Sequence, residues 1–87
     1  MKSYKLEIVA PDGPIYDDDA VQLSVRGMEG SMSVLAGHMP LVTSVAEGEV
    51  RVYLPDGTIK SGTTTGGFLS VSAQKVRLLV GAFDWKI

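Results

Sequence analysis

One imidazole, His38, stands in the run Ala36-Gly37-His38-Met39-Pro40. A histidine does chemistry when a nucleophile and an orienting carboxylate converge on it, or when further ligands complete a metal shell. No Gly-x-Ser-x-Gly turn is present, and no cysteine or second histidine stands anywhere in the chain. In such a loop a lone histidine is expected to bond the backbone or a partner. Asp17-Asp18-Asp19 is the densest carboxylate run. Calcium loops instead space their oxygens at alternate positions and add a glycine and a later bidentate glutamate. Three adjacent aspartates point different ways on an extended chain, so a solvated turn is expected there. Gly62-Thr63-Thr64-Thr65-Gly66-Gly67 lacks the Gly-Lys-Ser/Thr that leads a phosphate cradle into a helix. It runs instead into Phe68-Leu69-Ser70-Val71, and its glycines are expected to permit a bend or a close approach between sheets. No catalytic, metal or cofactor site is expected, and the chain is not expected to be an enzyme.

The segments around these residues alternate with period two. In Tyr4-Lys5-Leu6-Glu7-Ile8 the apolar residues fall at 4, 6 and 8. Val21–Arg26, Ser31–Val34, Val50–Leu54 and Lys75–Leu78 follow the same rule, and Leu41–Val45 and Phe68–Val71 are β-branched or apolar enough to join them. Such segments offer one face to a core and one to water. Pro11-Asp12-Gly13 and Pro55-Asp56-Gly57 are turn tripeptides, and Gly27–Gly30, Ala36–Pro40, Glu47–Glu49 and Ala73-Gln74 supply further turns. No segment of helical length carries an apolar stripe. The expectation is an all-β domain over residues 1–87, a flattened sandwich or barrel of two antiparallel sheets.

The 87 residues allow one core, with 45% hydrophobic and 21% charged residues, which favours a folded chain over a disordered one. A domain of this size buries roughly 60% of the surface of its unfolded chain, so good packing or a partner must support it. The net charge of −2, with Lys and Arg scattered among acids, leaves no basic stripe for nucleic acid. The charged start at Lys2 and Lys5 is unlike a signal peptide, and no apolar run approaches a bilayer span. A cytoplasmic protein is expected, at most peripheral to a membrane through an assembly.

Met28, Met32 and Met39 cluster in or beside the two loops between residues 27 and 40. They suit either an adaptable contact surface or gap-filling at the end of the sandwich. The tail Gly81–Ile87 is aromatic where chain ends are usually polar, so it is expected to be fastened to its own sheet or to a neighbour.

Together these segments resemble a known family. Lys5-Leu6-Glu7-Ile8-Val9 with Pro11-Asp12-Gly13 is similar to the opening of the ε subunit of the F-type ATP synthase. The run from Gly27 to Leu41 is similar to that family's most diagnostic stretch, Gly-x-Glu-Gly, an alternating strand, then Gly-His-x-Pro-Leu. Glu47–Arg51, Gly66–Val71 and Lys75-Val76 follow in the same order. The resemblance implies a ten-stranded β-sandwich at the foot of the central stalk, non-catalytic and without a cofactor. It implies docking on the γ subunit and on the polar loops of the c-ring, coupling ion-driven rotation to ATP synthesis at the inner (plasma) membrane. On that resemblance Gly27, Met28, Glu29, Gly30, Ser31 and Met32 face the c-ring, while Ala10, His38, Met39 and Thr43 face γ. Ser31 stands where many members carry glutamate, which lessens the part of charge in the c-ring contact. Most members continue into a C-terminal helical hairpin. The sequence stops at Ile87, so neither ATP binding nor hairpin-based restraint of hydrolysis is expected of it. The alternative is a free-standing ligand- or carbohydrate-binding sandwich, which would need a platform of exposed aromatic rings.

Overall fold

Leu6 and Ile8 are fully buried between exposed Lys5 and half-buried Glu7 and Val9, and Val50 and Val52 flank an exposed Arg51 in the same way. This alternation, repeated strand after strand, forms the core of the computed structural model, which describes residues 2–86. Ten strands follow in order: β1 (Tyr4–Ala10), β2 (Gly13–Ala20), β3 (Gln22–Gly27), β4 (Gly30–Leu35), β5 (Leu41–Val45), β6 (Gly48–Tyr53), β7 (Ile59–Thr64), β8 (Gly67–Val71), β9 (Val76–Val80) and β10 (Phe83–Trp85).

The strands hydrogen-bond in the order β10-β7-β6-β3-β5-β8-β9-β1-β2, with β4 on β3 beside this path. Laid flat, nine strands would span roughly 40 Å at the usual interstrand spacing. The molecule measures 29 × 27 × 24 Å, so the sheet folds over on itself. The fold line runs between β3 and β5, which share the single pair Gly27 and Val45. The two leaves then enclose one cluster of buried residues drawn from both. Pairing is antiparallel throughout except between β1 and β9, which run parallel with Leu6 opposite Val76 and Val9 opposite Leu79.

The two ends of the path, β2 and β10, meet without a ladder. Tyr16 of β2 and Trp85 of β10 close the gap edge to face, ring centroids 6.4 Å apart, and Phe83 lies 4.7 Å from Trp85. Lys60 of β7 places its ammonium 5.5 Å from the Trp85 ring and 5.9 Å from Tyr16. The aromatic tail is therefore fastened to its own sheet, as a strand on β7. On the opposite side the Tyr4 hydroxyl donates to the Val34 carbonyl at 2.7 Å, tying β1 to β4.

Asp17, Asp18 and Asp19 do not form the expected turn: they lie in β2, all exposed, between buried Tyr16 and Ala20. Aspartate is depleted in strands, which hides this one from its composition. β2 ends the strand path, and charges suit a sheet edge because they deter pairing with another chain. Lys5 holds Asp17 at 3.1 Å across β1 and β2. A close approach is present at Gly67, but between neighbouring strands and not between sheets as expected. A Cβ on Gly67 would lie 1.8 Å from the Leu79 carbonyl oxygen, so only glycine lets β8 and β9 pair there.

Two predictions follow from this packing. Gly67→Ala is expected to lower stability by about 1–3 kcal/mol through overpacking, measured by urea unfolding; an unchanged midpoint would refute the contact. The second concerns Glu7, which binds Lys75 and Arg77 at 3.0 Å each, bracing β1 on β9. Lys75 first and Arg77 second hold its carboxyl below the usual carboxylate range. The folded state thus favours the charged form, and its contribution is complete at neutral pH and lost as pH falls through the depressed folded value. The melting temperature is expected to drop between about pH 5 and pH 3. Glu7→Gln should lower it at pH 7 and flatten that drop; parallel curves for the two proteins would show that Glu7 takes no part.

Candidate docking surfaces

His38 sits half-buried in the loop between β4 and β5. Its Nδ1 lies 2.8 Å from the Met39 carbonyl oxygen, which accepts, and its own backbone N–H donates to Leu35 at 3.1 Å. The ring is thus fixed to backbone, as a lone loop histidine was expected to be. Thr64 turns its hydroxyl toward β10, donating to the Ala82 carbonyl at 2.7 Å and accepting from Gly66 N–H at 3.2 Å. The threonine run therefore fastens the last strand. Among the described residues no group of three His, Cys, Asp or Glu side chains could hold a metal ion. No helix there is long and apolar enough to cross a membrane. Trp85 is half-buried against Phe83 and under Lys60, an arrangement that fills a seam and offers no flat platform for a sugar.

The surface features lie elsewhere. β5, β8, β9 and β1 should present polar side chains outward, yet alternation fails at Ile8-Val9, Leu41-Val42, Phe68-Leu69 and Leu78-Leu79. In each doublet one residue packs inward and the other takes the outer face. Phe68, Leu79 and Val9 stand opposite one another across β8, β9 and β1, and Val42 lies diagonally beyond Phe68 on β5. Val42 is 74% exposed, Phe68 59% and Leu79 44%. An exposed apolar row of this kind marks a contact surface. Sequence reasoning by motif passed over these residues; the signal that finds them is the doubled apolar pair, which breaks the two-residue period.

The residues assigned to γ stand around this face without forming one cluster. Ala10 ends β1, whereas Tyr4, at the other end of the strand, lines the same small cleft as His38. Seven residues of strand separate them by roughly 20 Å. Met39 is 78% exposed, and Thr43 is half-buried with the parity of Leu41 and Val45, opposite buried Leu69. The residues assigned to the c-ring do form one unit. Gly27 pairs with Gly30 and Ser31 with Arg26, leaving Met28 and Glu29 as a two-residue turn. Met28 is 73% exposed at its tip, while Met32 is half-buried against the core. The methionines thus divide, two outward and one filling space.

Residues 3–86 match the family described as ATP synthase, Delta/Epsilon chain, beta-sandwich domain. The chain belongs to this family. It is 36% identical over 84 residues to the sodium-ion-specific ATP synthase epsilon chain of Acetobacterium woodii, covering 97% of this chain and 63% of that one. It is 42% identical over 84 residues to the ATP synthase epsilon chain of Bacillus velezensis, with the same coverage. The chain therefore spans under two thirds of the length of these relatives. Among solved structures, a chain of the Euglena gracilis mitochondrial ATP synthase, in its OSCP/F1/c-ring assembly, superposes with a TM-score of 0.90 at 26% identity. That match covers 95% of this chain and 53% of the other. A chain from the central stalk and c-ring of the Tetrahymena thermophila enzyme shares the fold, at a TM-score of 0.77 and 13% identity. The all-β fold expected of a Delta/Epsilon sandwich domain is thus the one observed.

The exposure of the β3–β4 tip predicts that Met28→Asp leaves the thermal midpoint nearly unchanged, within about 0.5 kcal/mol of stability. A loss of the size of a buried side chain, roughly 1.5–3 kcal/mol, would place Met28 in the core instead.

Proposed function

We propose that this domain is a non-catalytic part of the rotor of an F-type ATP synthase, where it docks on the γ subunit and on the polar loops of the c-ring. In this role it carries no active site; it transmits torque between an ion-driven ring and the shaft that turns in the catalytic head. It sits on the cytoplasmic side, peripheral to the membrane through the complex. The reading rests on membership of the Delta/Epsilon family and on relatives named as ATP synthase epsilon chains.

The observation that carries it is the exposed apolar row Val42, Phe68 and Leu79, brought together on adjacent strands β5, β8 and β9. A torque-bearing contact needs a rigid apolar face, because fully desolvated side chains dominate the energy of a protein interface. We assign that face to γ, with Ala10, His38 and Met39 toward its ends and Thr43 on the inner side of β5 beneath it. The Gly27–Met32 hairpin stands apart from it, and we assign it to the c-ring. Ser31 in that hairpin brings a neutral hydroxyl, so the contact relies on Met28, Glu29 and backbone groups.

Titration against a γ-containing catalytic head is expected to give saturable one-to-one binding. Phe68→Asp should weaken it more than tenfold, the scale of a hot-spot loss. Met28→Asp should leave γ binding intact while weakening attachment to the assembled rotor ring. Absence of binding at micromolar concentrations, from a protein whose amide spectrum shows it folded, would refute the γ assignment.

A further inference from the structure

The second leaf turns a different face outward. There β4, β3 and β6 align Ser33, Ser24 and Arg51 in one row, with Ser31 opposite Arg26 in the next. These residues and Glu49 line an open groove of about 370 Å³. Gln22 Nε2 donates to Ser24 Oγ at 3.2 Å and to Ser33 Oγ at 3.3 Å, and the two hydroxyls lie 3.1 Å apart. One serine hydrogen is used between the hydroxyls, and the other remains free to donate out of the network. Ser31 makes no side-chain hydrogen bond among the described residues, and Arg26 forms no ion pair there. The groove's one carboxylate, Glu49, is already engaged by Arg51 at 3.0 Å and by Lys86 at 2.7 Å. Those two cations, Lys86 first and then Arg51, hold its carboxyl below the usual range. Donors and positive charge therefore exceed acceptors along the groove, on a chain whose net charge is −2.

The stem of Arg26 also packs against its neighbour strand. It crosses the first residue of β6, where a Cβ on Gly48 would lie 2.9 Å from Arg26 Cδ. Gly48 has φ +155°, and its missing side chain is what leaves room for the stem. The stem thus rests on the β6 backbone while the guanidinium stays exposed, which limits the freedom the side chain has to lose when it binds.

From this arrangement we infer that the groove binds a phosphate group, held by the Arg26 and Arg51 guanidiniums and the serine hydroxyls. Guanidinium meets a phosphate with parallel charge-assisted hydrogen bonds, and hydroxyls donate to the remaining oxygens. The site lies on the leaf opposite the Phe68 face and does not depend on what docks there; it shares only Ser31 with the Gly27–Met32 hairpin.

The test titrates the isotope-labelled chain with inorganic phosphate at constant ionic strength, using chloride as the control and reading amide and arginine side-chain resonances. Saturable shifts are expected at Ser24, Arg26, Ser31, Ser33 and Arg51. Arg26→Gln should weaken binding roughly tenfold, the loss of one charge-assisted contact. Gly48→Ala should weaken it too, with the charge kept but its stem displaced. Arg77→Gln, on the other leaf, should leave affinity unchanged. A parallel sedimentation with phosphatidylcholine vesicles, with and without phosphatidylglycerol, separates the two sources of the group. Arg26-dependent capture by the anionic vesicles alone identifies a lipid headgroup; binding of free phosphate without capture identifies a soluble phosphate. Unsaturable shifts spread over all basic residues, or equal affinity in a folded Arg26→Gln protein, would overturn the site. Failure of both probes would overturn it as well.

Discussion

A sheet with two ends must dispose of two open edges, and in this molecule the ends meet through side chains. Trp85 reaches Tyr16 across the gap between β10 and β2, while Phe83 and the Lys60 ammonium also pack on the indole. Aromatic contacts of this type contribute about 0.5–1.5 kcal/mol beyond the area they bury. Because the closure uses rings, the backbone edges remain chemically unpaired, and β2 answers with three aspartates. Everything inside depends on the closure, since neither leaf alone could bury both flanks of the valine and leucine rows.

Closing the core in this way leaves the outer surfaces free to differ. On the β5-β8-β9-β1 leaf, slips in the two-residue period push Val42, Phe68 and Leu79 into solvent beside the Glu7, Lys75 and Arg77 group. The β3-β4-β6 leaf holds mainly serine, glutamine, arginine and glutamate at its outward positions, with Leu35 and Tyr53 at one end. One architecture thus presents an apolar face and a donor-rich one. The hairpin tip at Met28 lies at the fold line, where Gly27 also meets Val45.

Much of this was legible in the residues because burial follows a period of two. Leu6 and Ile8, Leu23 and Val25, and Val50 and Val52 announce their strands and their inward faces without help from the rest of the chain. β2 escaped because its aspartates mask the two residues, Tyr16 and Ala20, that anchor it. The pairing of β1 with β9 was illegible for another reason: register between distant strands is set by the assembled core, and no local turn encodes it. The hairpin from Gly27 to Met32 was readable as a unit since its strands are adjacent. The apolar face was written in the sequence as doublets, but each doublet gains meaning only when β5, β8, β9 and β1 are set side by side. His38 drew attention as the only imidazole, and its geometry shows why rarity is a weak guide: the nearest carbonyl already occupies its Nδ1.

The parallel pair also sets a clock during synthesis. Val9 finds its partner in Leu79, and 70 residues (79 − 9) must be added between the two events. At the usual translation speed of about 5–20 residues per second, that interval lasts roughly 4–14 seconds. Throughout it, β1 has only β2 beside it, and the inward side chains of Leu6 and Ile8 lack the later half of their core. The nascent chain must pass this period with an uncovered apolar strand, and long-range pairings of this kind are the slow ones to form. The run of acidic residues on β2 then acts early, as a solubilising flank for the first hairpin before the rest of the domain exists.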